Sequence, residues 1–250
     1  MCLSELEKKG VIMKIGLIED NETFANALKD ILILKKHEVY LLNKHPLFIQ
    51  SNEIETLDVL IIDIFLGSNY GINIINQLKR MELFLTFIVV TASPNQKIKD
   101  LLKELNVNYI IEKPFHYEQL DRILKEIEEY KFIIENFLND GRMEKNILLL
   151  TKIPEIKIFK SLKKIKIEDL ENIDFEKMDG TNFYIQIETL NIFNNFLIIK
   201  KLESLPQNKK LILKTNVNID ELKKSCETNT FLKSLVLRKC YLVSETLNVS

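Results

Sequence analysis

The stretch Leu57–Ile64 (LDVLIIDI) is a nearly continuous apolar run with an acid set into its far end. A run without polar alternation predicts a strand covered on both faces rather than one. Lys14–Glu19 (KIGLIE), Phe87–Thr91 (FIVVT) and Asn108–Ile111 (NYII) share the pattern, and Glu38–Leu42 is rich in β-formers. Between these runs the spacing turns helical. Asn21–Leu34 carries Phe24, Ala27, Leu28, Ile31 and Leu32, and Ile72–Arg80, Lys97–Leu105 and the long His116–Leu138 read as further helices. Gly67–Gly71 reads as a turn. Strand and helix in alternation predict right-handed crossovers and one parallel sheet of five strands.

In such sheets chemistry gathers at the carboxyl ends of the strands. Glu19 and Asp20 end the first run, Asp63 stands near the end of the third, Thr91 ends the fourth and Lys113 follows the fifth. Taken singly, each has an ordinary reading: a capping acid, a β-former, a solvated lysine. Together they send acids, a hydroxyl and an amine to one rim. Converging carboxylates repel one another unless a cation sits among them. Oxygen ligands of this kind suit Mg²⁺, which keeps several waters and bridges carboxylate to phosphate. A carboxylate is a known covalent acceptor of phosphoryl groups. The expectation is therefore Asp63 as acceptor, Lys113 as a point charge on the phosphate, and Thr91 as a hydroxyl whose bond to phosphate exists only in the modified state.

Residues 14–115 resemble the receiver domain of two-component response regulators. The matching pieces are Glu19-Asp20, Asp63, Gly71, Thr91-Ala92 and Lys113-Pro114-Phe115. The resemblance implies a flavodoxin-like, doubly wound fold and a sensor histidine kinase as partner. It implies Glu19, Asp20, Asp63 and the backbone carbonyl of Phe65 as Mg²⁺ ligands, Asp63 as phosphoacceptor, and Thr91 and Lys113 as phosphate contacts. It also implies a phosphoacceptor rather than an enzyme, and a cis peptide before Pro114. Two positions depart from the family. Gly67 replaces the usual proline four residues after the acceptor. Ile110 stands where the switch aromatic usually sits, with Tyr109 beside it, and strand alternation puts those two on opposite faces. A Mg²⁺-dependent phosphatase using Asp63 as a transient nucleophile is the rival reading, and an intact but unused scaffold is a third.

The chain has 250 residues, enough for two domains. The expected boundary gives a receiver over 13–139, including its extended last helix, and an output domain over 140–250. Asn139-Asp140-Gly141 supplies the stop. Charge changes sign across it: residues 1–140 hold 16 Lys+Arg against 22 Asp+Glu, the remainder 19 against 14. In the last receiver helix Leu120, Ile123, Ile127, Tyr130, Ile134 and Phe137 recur at heptad-like spacing. That seam suits either a homodimer through the Leu120–Phe137 helix or packing within one chain. In the back half Asn146–Thr151, Asn182–Ile187, Lys210–Lys214 and Ser234–Leu237 read as strands; Ile156–Leu162, Leu190–Leu205 and Ile219–Cys226 read as helices. The order faintly suggests a second, degenerate receiver without an acceptor aspartate. The alternative is a diverged winged-helix domain contacting DNA through Lys223, Lys224, Lys233, Arg238 and Lys239. No phosphate-binding glycine loop occurs there, and Gly180 is the one glycine after Gly141. Three scattered cysteines, Cys2, Cys226 and Cys240, suit a reducing cytoplasm. No run is long enough to span a membrane. Met13 stands directly before the first strand, so residues 1–12 read as a loose extension, with Met1 or Met13 as the start.

Overall fold

The computed structural model describes residues 11–42, 54–66, 69–81, 85–92, 94–105, 107, 109–139, 145–151, 162–187, 195–215 and 217–244. Residues 1–10, the Gly67 turn, the Asp140-Gly141 stop and, but for Leu162, the helix expected over Ile156–Leu162 lie outside them. The described chain divides into two compact units, with the break between Ile133 and Ile134.

The first unit runs β1 (Lys14–Ile18), α1 (Glu22–Leu34), β2 (Glu38–Leu41), β3 (Val59–Ile62), a short hairpin of β4 (Phe65–Leu66) and β5 (Asn69–Tyr70), α2 (Gly71–Arg80), β6 (Thr86–Thr91), α3 (Gln96–Glu104), β7 (Tyr109–Glu112) and the greater part of α4 (Tyr117–Asn139), a helix that continues past the break. The long strands form one sheet in the order β2-β1-β3-β6-β7, every pairing parallel. This is the doubly wound α/β fold expected. Adjacent residues of each strand face opposite cores. Ile18, Leu60, Ile62, Phe87 and Val89 pack with Ile74, Ile75 and Leu78 of α2 on one side. Ile15, Leu17, Val59, Ile61, Ile88 and Val90 pack with Leu28 and Leu32 of α1 and Leu120, Leu124 and Ile127 of α4 on the other. Each such buried side chain contributes roughly 1.5–3 kcal/mol.

Helix α1 starts at Asn21, whose side chain accepts the Phe24 N–H. Of the heptad-like seam on α4, Leu120, Ile127, Tyr130, Ile134 and Phe137 are buried within the single chain. No helix among the described residues is long and apolar enough to cross a membrane.

The second unit contains β8 (Ile147–Thr151), β9 (Lys163–Ile165), a 3₁₀ turn (Ile167–Asn172), β10 (Asn182–Ile187), α5 (Phe196–Glu203), β11 (Lys210–Thr215), α6 (Ile219–Thr228), α7 (Thr230–Lys239) and β12 (Cys240–Ser244). It is again a parallel α/β sheet, in the order β12-β8-β11-β10-β9. That order corrects two expectations. In the first unit the first strand lies between the second and third; here it lies between the fourth and fifth, so the scaffold is not a worn receiver. Nor is a five-stranded parallel sheet a winged-helix domain. Two local readings are corrected as well. Ser234–Leu237 is not a strand but part of α7, which Asn229 caps and which buries Leu232 and Leu235. The helix expected over Leu190–Leu205 has its N-cap at Asn195, whose side chain accepts the Leu197 N–H.

Candidate functional site

The sheet order makes β1, β3, β6 and β7 neighbours, and their parallel pairing brings all four carboxyl ends to one rim. Ile18 pairs with Ile62, so the next residues out, Glu19 and Asp63, leave adjacent strands side by side. Thr91 pairs with Glu112, one residue before Lys113. Lys113 is also tied by its backbone, its N–H donating to the Thr91 carbonyl at 2.8 Å. The Lys113–Pro114 peptide is cis, as the motif suggested.

The side chains meet. Lys113 Nζ donates to Glu19 Oε2 and to Asp63 Oδ2, each at 2.7 Å. Asp63 uses its other oxygen, Oδ1, to accept the Phe65 N–H at 2.8 Å. Oxygens of Glu19, Asp20 and Asp63 all lie within 4.8 Å of one another. Asp63 is buried and Asp20 exposed, so the trio spans from the sheet edge to solvent. Burial pulls the Lys113 ammonium down, but hydrogen bonds and charge from Asp63 and Glu19 outweigh it, and its pKa is raised overall. The amine is held charged. A cluster of three oxygen donors with one open side fits a hard divalent ion that keeps waters.

The Thr91 hydroxyl is fully buried and has no hydrogen-bond partner. A buried hydroxyl without a partner costs free energy in this state, and an acceptor arriving at the rim would relieve it. Thr91 lies two residues beyond Val89, on the α2 side of the sheet, the side against which Ile110 packs. Tyr109 packs against the α1 and α4 side. The two residues therefore face apart, as alternation required, and Tyr109 is not placed to follow Thr91.

Gly71 opens α2 directly beneath Asp63, its N–H donating to the Ile64 carbonyl at 3.0 Å. One aromatic side chain at the site went unread in the sequence. Phe24, in the first turn of α1, lies under the Lys113 ammonium, with 4.6 Å from Nζ to its ring centroid. The available signal was its place: it follows the acid-bearing loop by one capped turn, on the rim side of the helix.

The sequence profile described as "Response regulator receiver domain" matches residues 15–125. Residues 15–125 are a response regulator receiver domain. The chain also matches the Bacillus subtilis protein named "Probable C4-dicarboxylate response regulator DctR", 28% identical over 102 residues. That match covers 40% of this chain and 44% of DctR, so the chain spans less than half of that relative. Among solved structures, the CheY-like receiver of Methanospirillum hungatei is 18% identical with a TM-score of 0.44, covering 49% of this chain and 98% of its own. NtrX from Brucella abortus is 11% identical with a TM-score of 0.40, covering 94% of this chain and 68% of its own.

Proposed function

We propose that this protein is a two-component response regulator: Asp63 accepts a phosphoryl group from a sensor histidine kinase, and the receiver then switches an output unit over residues 140–250. The observation that carries the reading is the pair of hydrogen bonds that Lys113 Nζ donates to Glu19 and Asp63, each at 2.7 Å. It puts a fixed ammonium between the two carboxylates of the acid trio whose side chains are shielded from solvent, Glu19 and Asp63. An oxygen of Asp63, released from its present hydrogen bond, forms a bond to phosphorus as the donor's phosphorus–nitrogen bond breaks and the imidazole nitrogen leaves with the bonding pair. Mg²⁺, held by Glu19, Asp20, Asp63 and the Phe65 carbonyl, would offset the charge of the incoming phosphoryl oxygens. Lys113 exchanges a carboxylate partner for a phosphate oxygen, and the Thr91 hydroxyl gains an acceptor. Those two contacts exist only after transfer, so they bias the receiver toward a second conformation. The protein then serves as a phosphoacceptor, not as a multiple-turnover phosphatase.

For the output, a protein partner is favoured over DNA. Of the basic residues considered for phosphate contacts, Lys239 Nζ donates to the Leu205 carbonyl at 3.2 Å and Lys223 lies 3.8 Å from Asp220. Lys239 is thus committed to a backbone carbonyl, while Lys223 stands in an exposed pair with Asp220.

Incubation with acetyl phosphate and Mg²⁺ tests the acceptor. A phosphoryl mass gain in wild type, absent in Asp63→Asn, supports it; equal gain in both rejects it. Sustained turnover of a phosphate ester would favour the phosphatase instead. A salt series of gel shifts with the full chain tests the output, because DNA binding through phosphates falls steeply as salt rises.

A further inference from the structure

Lys113 has a third support besides its two carboxylates. Its ammonium stands 4.6 Å from the centroid of the Phe24 ring. That ring is itself fixed. The Phe24 N–H donates to Asn21 Oδ1 at 3.1 Å, which anchors it in the first turn of α1. Its ring meets Phe115 at 6.0 Å between centroids with planes 80° apart, an edge-to-face pair. Phe115 follows Lys113 by two residues, so the loop that carries the ammonium also carries the brace for the ring beneath it.

We propose that Phe24 is a positioning residue for Lys113, its ring face holding the ammonium at the rim while that ammonium passes from Glu19 to the phosphoryl group on Asp63. The proposal rests on Asp63 being the acceptor. A lysine side chain has four rotatable bonds and loses much freedom when pinned. In the unmodified protein two charged partners pin it. During transfer one of them changes, and the negative face of an aromatic ring is the contact that does not. Leucine fills similar apolar space but has no such face; tyrosine keeps it.

The test is a beryllofluoride titration with saturating Mg²⁺ on the full chain, using wild type, Phe24→Leu, Phe24→Tyr, Lys113→Ala and the Phe24→Leu/Lys113→Ala pair, with Asp63→Asn as blank. Phe24→Leu should weaken binding by about 2- to 30-fold, the range of one cation–π contact. Phe24→Tyr should restore it, and Phe24→Leu should add nothing once Lys113 is alanine. Binding of Mg²⁺ alone should be unchanged by Phe24→Leu. If Phe24→Leu binds like wild type, or if its loss persists undiminished without Lys113, the positioning role is overturned while the acceptor reading stands. If wild type binds no more than Asp63→Asn, the acceptor reading falls and the positioning role with it.

Discussion

Gly71 stands so close to Asp63 that a Cβ on it would lie 2.2 Å from the Asp63 carbonyl oxygen and 2.9 Å from the Ile64 Cα. Both obstacles are backbone, so no rotamer change relieves them. The contact lets the first turn of α2 abut the end of β3 and sets the height of Asp63 above the sheet.

Gly71→Ala should therefore act on the site and the fold together. Overpacking against backbone typically costs about 1–3 kcal/mol. We expect a lower urea midpoint and, because Asp63 must shift, weaker beryllofluoride binding than the stability loss alone produces. A variant as stable and as responsive as wild type would show that the loop yields freely.

Thr91→Val should give two effects of opposite sign. The hydroxyl is fully buried and lacks a partner, and removing such a group at nearly constant shape stabilises by about 1 kcal/mol. The unmodified protein should therefore unfold at higher urea. The same variant should lose the conformational response to beryllofluoride, because the acceptor-dependent bond can no longer form. A destabilised Thr91→Val would mean that the hydroxyl already has a partner, such as an ordered water.

Lys113→Met should tighten Mg²⁺ while weakening the phosphoryl state. The ammonium pairs with two of the three acids at 2.7 Å and offsets one unit of their charge, and removing it leaves a more negative cluster for a divalent ion. Calorimetric titration with Mg²⁺ measures the first effect, and the lifetime of the phosphorylated form the second. Unchanged Mg²⁺ affinity would place the ion away from these carboxylates.

Much of the first unit could be read directly because its pattern and its chemistry coincide. The runs ending at Glu19, Asp63 and Thr91 are buried on both faces, and the same residues that stop each run form the site. The second unit lacks that coincidence. Ser234–Leu237 is four residues long, and so short an apolar run does not distinguish a strand from a helix segment. The deciding signals were Asn229 as cap and the helical spacing of Leu232 and Leu235. β9 has only three residues, Lys163–Ile165, two of them lysines, and β12 follows α7 without a turn residue. Strand order was not legible at all, because it is set by crossovers that leave no local pattern. Phe24 was visible as a helix residue, but its contact with Lys113 is long-range.

In the second unit, Lys209 is a buried ammonium serving backbone. Its Nζ donates to the carbonyls of Phe175 and Met178, the latter at 2.6 Å. Lys209→Met keeps the apolar stem and strips the donors, leaving buried acceptors unpaired at about 1–3 kcal/mol. Urea unfolding followed by hydrogen exchange should show the loss in residues 162–187 and β11, with the receiver unchanged. Uniform loss across both units would instead mean that they unfold as one.

His37 links the end of α1 to α4 and gives the receiver a pH dependence of definite sign. Its Nε2 lies 3.6 Å from Glu128 Oε1, and the residue is 8% exposed. Burial lowers its pKa below 6.5, opposed by Asp121 and assisted by Lys35. The unfolded chain therefore takes up a proton at a higher pH than the folded one does. Stability is full above pH 6.5 and is lost as pH falls through the window down to the folded value. Glu128 works the other way: burial raises its pKa above 4.5, with Asp121 adding to the effect, so its contribution declines as pH rises through its own window. His37→Gln should flatten the fall in urea midpoint just below pH 6.5, and Glu128→Gln should leave that fall in place while removing the opposing slope nearer 4.5. A wild-type midpoint that rises as pH drops from 6.5 would mean that the imidazole is charged in the folded protein and that its pairing with Glu128 outweighs burial.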